Sequence, residues 1–116
     1  MPLIIESWAM SDIQTITLSE NRPLRKASIE AFIRWLVTES GIRLIRGKGF
    51  LFCHGSSEKH EFQSVRNTYS ISARNWGNGE AQKSTVTLIG FGLNEKRIQL
   101  QETFSECAAI NSGNGT

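Results

Sequence analysis

The segment 26–39 places Ile29, Phe32, Ile33 and Leu36 at i, i+3, i+4 and i+7, so a helix here carries one apolar stripe. A stripe that narrow must be buried against something broad and flat. Glu30 and Arg34 add an i, i+4 ion pair in the favourable order, and Gly41 supplies the stop. The start is less well marked, because Arg25 stands where Ser or Asp would cap a helix.

The flat partner is legible around it. Residues 13–18 are rich in β-branched side chains and predict a first strand, which Asn21-Arg22-Pro23 ends. Residues 42–54 predict a long strand, with a bulge or bend at Gly47-Lys48-Gly49. After a turn at 55–58, strands are expected over 60–66 and 69–75, and after the loop around Gly77-Asn78-Gly79-Glu80 another over 84–91. A second helix is expected from Glu95 to Ala108, capped by Asn94, with Leu100, Thr103, Phe104, Cys107 and Ala108 on its inner side. Five Phe residues, at 32, 50, 52, 91 and 104, read as core, and Trp35 and Trp76 as packing at the core's edge. The order β-α-β-β-β-β-α predicts an α+β domain. An antiparallel sheet of about five strands carries both helices on one face and leaves the other to solvent or a partner. One domain is expected over 12–110, with a loose lead-in at 1–11 and a disordered tail at 111–116.

Composition narrows the function. With 116 residues, 39% apolar and 21% charged, the chain fits one ordinary globular domain and not a collagen-like or disordered chain. No run reaches the ~20 apolar residues of a membrane helix. The opening residues have no basic region followed by an apolar core, and the two cysteines, Cys53 and Cys107, form no CxxC, so a cytoplasmic chain with reduced thiols is expected. The net charge of +2 falls short of the basic excess of a nucleic-acid binder.

Four chemistries have partial signatures in the chain. Gly77 to Ser84 imitates a P-loop, but Gln82 replaces the second glycine and a strand follows instead of a helix, so it reads as an inter-strand loop. Arg46 to Cys53 overlays an RNA-binding strand pattern, with Lys48 and Cys53 where stacking aromatics belong. A small RNA-binding module using Arg46–Phe52 is therefore the alternative reading. If residues 55–59 turn, His54 and His60 face each other near Glu58 and Glu61, which would make a minor metal site; no metal or other cofactor is assigned. Neither a nucleophile elbow nor a carboxylate pair is present, so no catalytic residue is assigned.

Several features stand in a telling order: Arg22-Pro23 before the helix of Phe32, then Leu44-Ile45-Arg46-Gly47-Lys48-Gly49-Phe50, then Trp76, then Thr87-Leu88-Ile89-Gly90 before the last helix. This succession resembles the C-terminal domain of the CobW family of metal-associated GTPases over residues 12–108. Gly47 stands where that family usually has Ala, and 54–61 follows none of its pattern. The resemblance implies an accessory, partner-contacting module without catalysis of its own, linked to metal or cobalamin cofactor homeostasis. GTP hydrolysis and the family's Cys-rich metal motif belong to a separate P-loop domain. The expected partner is a P-loop GTPase domain, or a second copy meeting through the open sheet face; neither membrane nor nucleic acid is expected. Gly47, Gly49 and Phe50 are the structural residues of the motif. Arg46 and Lys48 are the candidate binding residues, set against the plainer expectation that they are charges guarding a sheet edge.

Overall fold

A computed structural model describes residues 12–109; the lead-in at 1–11 and the tail at 111–116 lie outside the described residues. Five strands form one antiparallel sheet: β1 (Ile13–Glu20), β2 (Leu44–Phe52), β3 (Lys59–Val65), β4 (Thr68–Arg74) and β5 (Ser84–Phe91). Two helices complete it, α1 (Lys26–Arg34, continued by a π-helical turn, Trp35–Glu39) and α2 (Leu93–Glu106). The spatial order is β1-β5-β2-β3-β4, so the last strand lies between the first two and β2 is central.

The pleat decides what is buried. Ile16 and Leu18 of β1, Gly47, Gly49 and Leu51 of β2, Phe62 and Ser64 of β3, and Val86 and Leu88 of β5 turn to one face. There they meet Ile29, Phe32, Ile33, Leu36 and Val37 from the first helix and Leu93, Leu100 and Phe104 from α2, in a single core. Both helices thus lie on the same face. Phe32 and Phe104 meet between them with ring centroids 6.0 Å apart. The opposite face is uncovered among the described residues, and Ile13 and Val65 are about half exposed.

Several expectations are corrected. Gly47 and Gly49 make no bulge: both keep regular register with β3 and β5, and the irregularity falls between Leu44 and Arg46. The glycines are there for space, since a Cβ at Gly47 would lie 2.7 Å from Ser64 Oγ and one at Gly49 2.7 Å from Val86 Cα. Phe50, Phe52 and Phe91 are only half-buried, because this register gives the core side to their neighbours. Trp35 packs at the core's edge as expected, with its ring centroid 6.1 Å from that of buried Phe32 and 38% of the residue exposed.

Asn94 does not cap α2. That helix starts at Leu93, after Gly92 in the left-handed region (φ 71°), and the Asn94 N–H donates to Gln14 Oε1 of β1 at 2.8 Å. A distant strand satisfies the orphan donor that a local cap would have taken. Gln101 likewise accepts from Ser19 N (3.1 Å) and donates to Ser19 O (2.9 Å), so α2 blunts the outer edge of β1. At its other end, Arg25 donates to Glu106 O at 2.9 Å, placing a cation where the helix dipole favours one.

The first helix widens at its end for local reasons. Thr38 Oγ1 donates to Arg34 O and Ser40 Oγ to Leu36 O, competing with the ordinary ladder, and Ser40 N reaches back to Trp35 O. Arg22-Pro23-Leu24 ties the sheet to α2. Leu24 N donates to Phe52 O (2.8 Å), Leu24 O accepts from His54 N (2.7 Å), and Pro23 O accepts from Ala109 N (2.7 Å). No helix among the described residues is long and apolar enough to cross a membrane.

Candidate functional site

The uncovered face is built mainly by β2 and β5. Because Gly47, Gly49 and Leu51 turn inward, Arg46, Lys48, Phe50 and Phe52 turn outward. Their partners on β5 are Ile89 opposite Arg46, Thr87 opposite Lys48 and Thr85 opposite Phe50. These residues line an open groove of about 530 Å³. Its floor is apolar, and its charges are those of Arg46 and Lys48. Both are exposed, and neither makes an ion pair among the described residues. β2 is hydrogen-bonded on both sides, so these cations do not guard an edge; they stand mid-face.

The end of the face beyond Phe50 is closed by the loop before β5. Trp76 packs edge-on against Phe52, with centroids 6.1 Å apart. Lys59 Nζ lies 4.1 Å from the Phe50 ring centroid and pairs with Glu80 at 2.6 Å. Glu80 also accepts from Gly77 N at 2.7 Å. Hydrogen bonding from Lys59, helped by that amide, holds the Glu80 carboxyl below its ordinary range. Gly77 to Glu80 is therefore a clasped turn, occupied by its own carboxylate.

Beside it, Glu61 is buried although it faces outward. It accepts from Gln63 Nε2 at 3.1 Å and pairs with Arg74. These contacts, Gln63 first, lower its pKa against the opposing effect of burial. Lys59, Glu61 and Arg74 are consequently held in ion pairs, whereas Lys48 acts on Glu61 only through its field and neither it nor Arg46 forms an ion pair among the described residues. Sequence reading located these two residues but did not place Phe50 beside them in one groove. The signal was present as the i, i+2 alternation of Arg46, Lys48, Phe50 and Phe52.

The metal reading does not survive the register. His60 pairs across with Leu51 and is buried, with Nδ1 unpartnered, while His54 lies past the end of β2 and is exposed. Pairing with β3 ends at Phe52 opposite Lys59 and the turn begins at His54 itself, whose N–H donates to Leu24 O, so the two imidazoles are not opposed. Among the described residues no group of three or more His, Cys, Asp or Glu could hold a metal ion. Cys53 and Cys107 are buried free thiols, and burial pushes both pKa values up.

Comparison with known proteins agrees with this architecture. The family model described as the cobalamin synthesis protein cobW C-terminal domain matches residues 13–108. The zinc chaperone YjiA of Escherichia coli (strain K12) is 32% identical over 90 residues, which cover 77% of this chain and 28% of that protein. The crystal structure of the Zn(II)-bound E. coli YjiA GTPase superposes with a TM-score of 0.73 at 27% identity, over 83% of this chain and 30% of that one. A Zn(II)-bound triple mutant of YjiA gives the same TM-score at 30% identity, over 84% and 30%. The chain thus spans less than a third of the length of these relatives.

Proposed function

Because the chain belongs to the CobW C-terminal domain family, we propose that it is an accessory, non-catalytic domain that docks a protein partner on its uncovered sheet face. The partner is a P-loop GTPase domain, which supplies the nucleotide and metal chemistry. That YjiA is a zinc chaperone supports a place in metal homeostasis. The observation carrying this reading is the position of Arg46 and Lys48. They are two exposed cations that form no ion pair among the described residues, on the central strand, above an apolar groove bounded by Phe50, Thr87 and Ile89. Exposed charge over an apolar floor suits an acidic, amphipathic partner surface, whose carboxylates set orientation while the floor supplies contact area.

The test is NMR mapping of the chain against full-length YjiA. Saturable shifts at Arg46, Lys48, Thr85, Thr87 and Ile89 are expected. The Arg46→Glu, Lys48→Glu double variant should keep its circular dichroism spectrum and lose at least tenfold in affinity. Shifts confined to the helix face, or unaltered affinity in the variant, would overturn the proposal. Steeply salt-dependent binding of single-stranded RNA at the same residues, with no response to YjiA, would replace the protein partner by RNA.

A further inference from the structure

At the end of the sheet away from Trp76, two irregularities of the backbone meet. The first is the register break between Leu44 and Arg46, which leaves Ile45 as the extra residue of β2. The second is the two-residue turn between β3 and β4. There Arg66 takes φ 56°, the one non-glycine positive φ among the described residues. A hairpin turn of this length admits Gly or Asn at such a position without strain, and Asn stands next door at 67. An arginine occupies the strained position instead, and its backbone N–H donates to Ile45 O at 3.1 Å.

Between the two irregularities lies a cavity of about 600 Å³ with Val37 and Ile42 in its wall and Arg43, Arg66 and Asn67 along it. Arg43 is held from both sides. Its carbonyl accepts from Phe91 N at 3.0 Å, and its guanidinium carbon lies 4.8 Å from the Phe91 ring centroid. Gly90 allows this approach, since a Cβ there would come 2.5 Å from Arg43 O. Neither Arg43 nor Arg66 forms an ion pair with an acid among the described residues, and no acidic side chain lines the cavity.

The geometry points to a binding site for a small polyanion bearing phosphate or carboxylate groups, with Arg43 and Arg66 as its two oxyanion ligands and Asn67 as an added donor. Guanidinium forks match such oxyanions bidentately, and stacking on Phe91 pre-orients one of them. Val37 and Ile42 leave room for an apolar portion of the same molecule. The cavity is separate from the Arg46–Lys48 groove, and the inference stands whether or not a protein docks there.

Titration of the full chain with sodium pyrophosphate, and separately with citrate, at constant ionic strength distinguishes the two oxyanion sources. Saturable NMR shifts of the Arg43 and Arg66 Nε–H and the Ile45 and Asn67 amides are expected with one or both. Arg66→Gly should bind at least tenfold more weakly while its melting temperature stays the same or rises, because glycine accepts the left-handed backbone. Arg66→Lys, which keeps the charge and loses the fork, should fall between the two. The site is overturned by shifts that fail to saturate or that spread equally to Arg46 and Lys48. It is also overturned if Arg66→Gly binds as the parent does, or melts at a clearly lower temperature.

Discussion

Gly49 stands opposite Val86 so closely that a Cβ on it would lie 2.7 Å from the Val86 Cα and within contact of the Thr85 carbonyl oxygen. The central strands of the sheet meet at a point where only hydrogen fits. This explains the inward-turned glycines of the Arg46–Phe50 motif, and with them the outward turn of Arg46, Lys48 and Phe50.

Gly49→Ala is accordingly expected to cost about 2–3 kcal/mol, the upper part of the usual range of about 1–3 kcal/mol for overpacking, read as a lower urea midpoint with an unchanged slope. Gly47→Ala should cost less, about 1 kcal/mol, because its nearest neighbour is the Ser64 hydroxyl and not backbone. Equal effects, or none, would contradict the crowding at Gly49.

Leu24 is fully buried and bridges Cys53 on one side and Ala108 on the other. Leu24→Ala should destabilise by about 3 kcal/mol, within the range for deleting a buried leucine side chain. The loss should appear at the end of β2 and at the C-terminus of α2 together, as a joint rise in amide hydrogen exchange. Faster exchange at one site alone would show that Pro23-Leu24 does not couple them.

Glu20 is held at a pKa of about 2, against an ordinary 4.5, chiefly by hydrogen bonding from Arg22. A depressed folded pKa means stability that is complete above pH 4.5 and drains away as the pH falls toward 2. Arg22 is about half exposed to water, which screens the pair, so the contribution is about 1 kcal/mol. Glu20→Gln should lose that much at pH 7 and converge with the parent below pH 2, as measured by urea unfolding across that window. A pH-independent difference would assign the loss to packing.

Cys53 and Cys107 are at most 5% exposed, and burial raises both pKa values. Ellman's reagent at pH 8 should leave both thiols unmodified in native buffer and titrate both in guanidinium chloride. Rapid native reaction at either would contradict its burial.

Much of the fold was open to reading from short-range pattern. The strand Ser84–Phe91 appears with the expected bounds, and the stripe Ile29, Phe32, Ile33, Leu36 is the buried side of the first helix. Both depend only on the pleat or the helical repeat, which operate over a few residues. Leu93 was missed because it precedes the expected cap at Asn94. That cap failed because its competitor, Gln14, lies far away in the chain.

What residue order settled by itself was the set of elements, the one-sided helices and hence a sheet with a bare face. Tertiary structure alone decided that β5 inserts between β1 and β2, that Gly47 and Gly49 serve closeness and not a bulge, and that His54 and His60 stay apart. It also brought Arg43 and Arg66 to one cavity. The division follows from range: periodicity is written in adjacent residues, while register and strand order arise from contacts between distant ones, chosen by whichever packing buries the shared core.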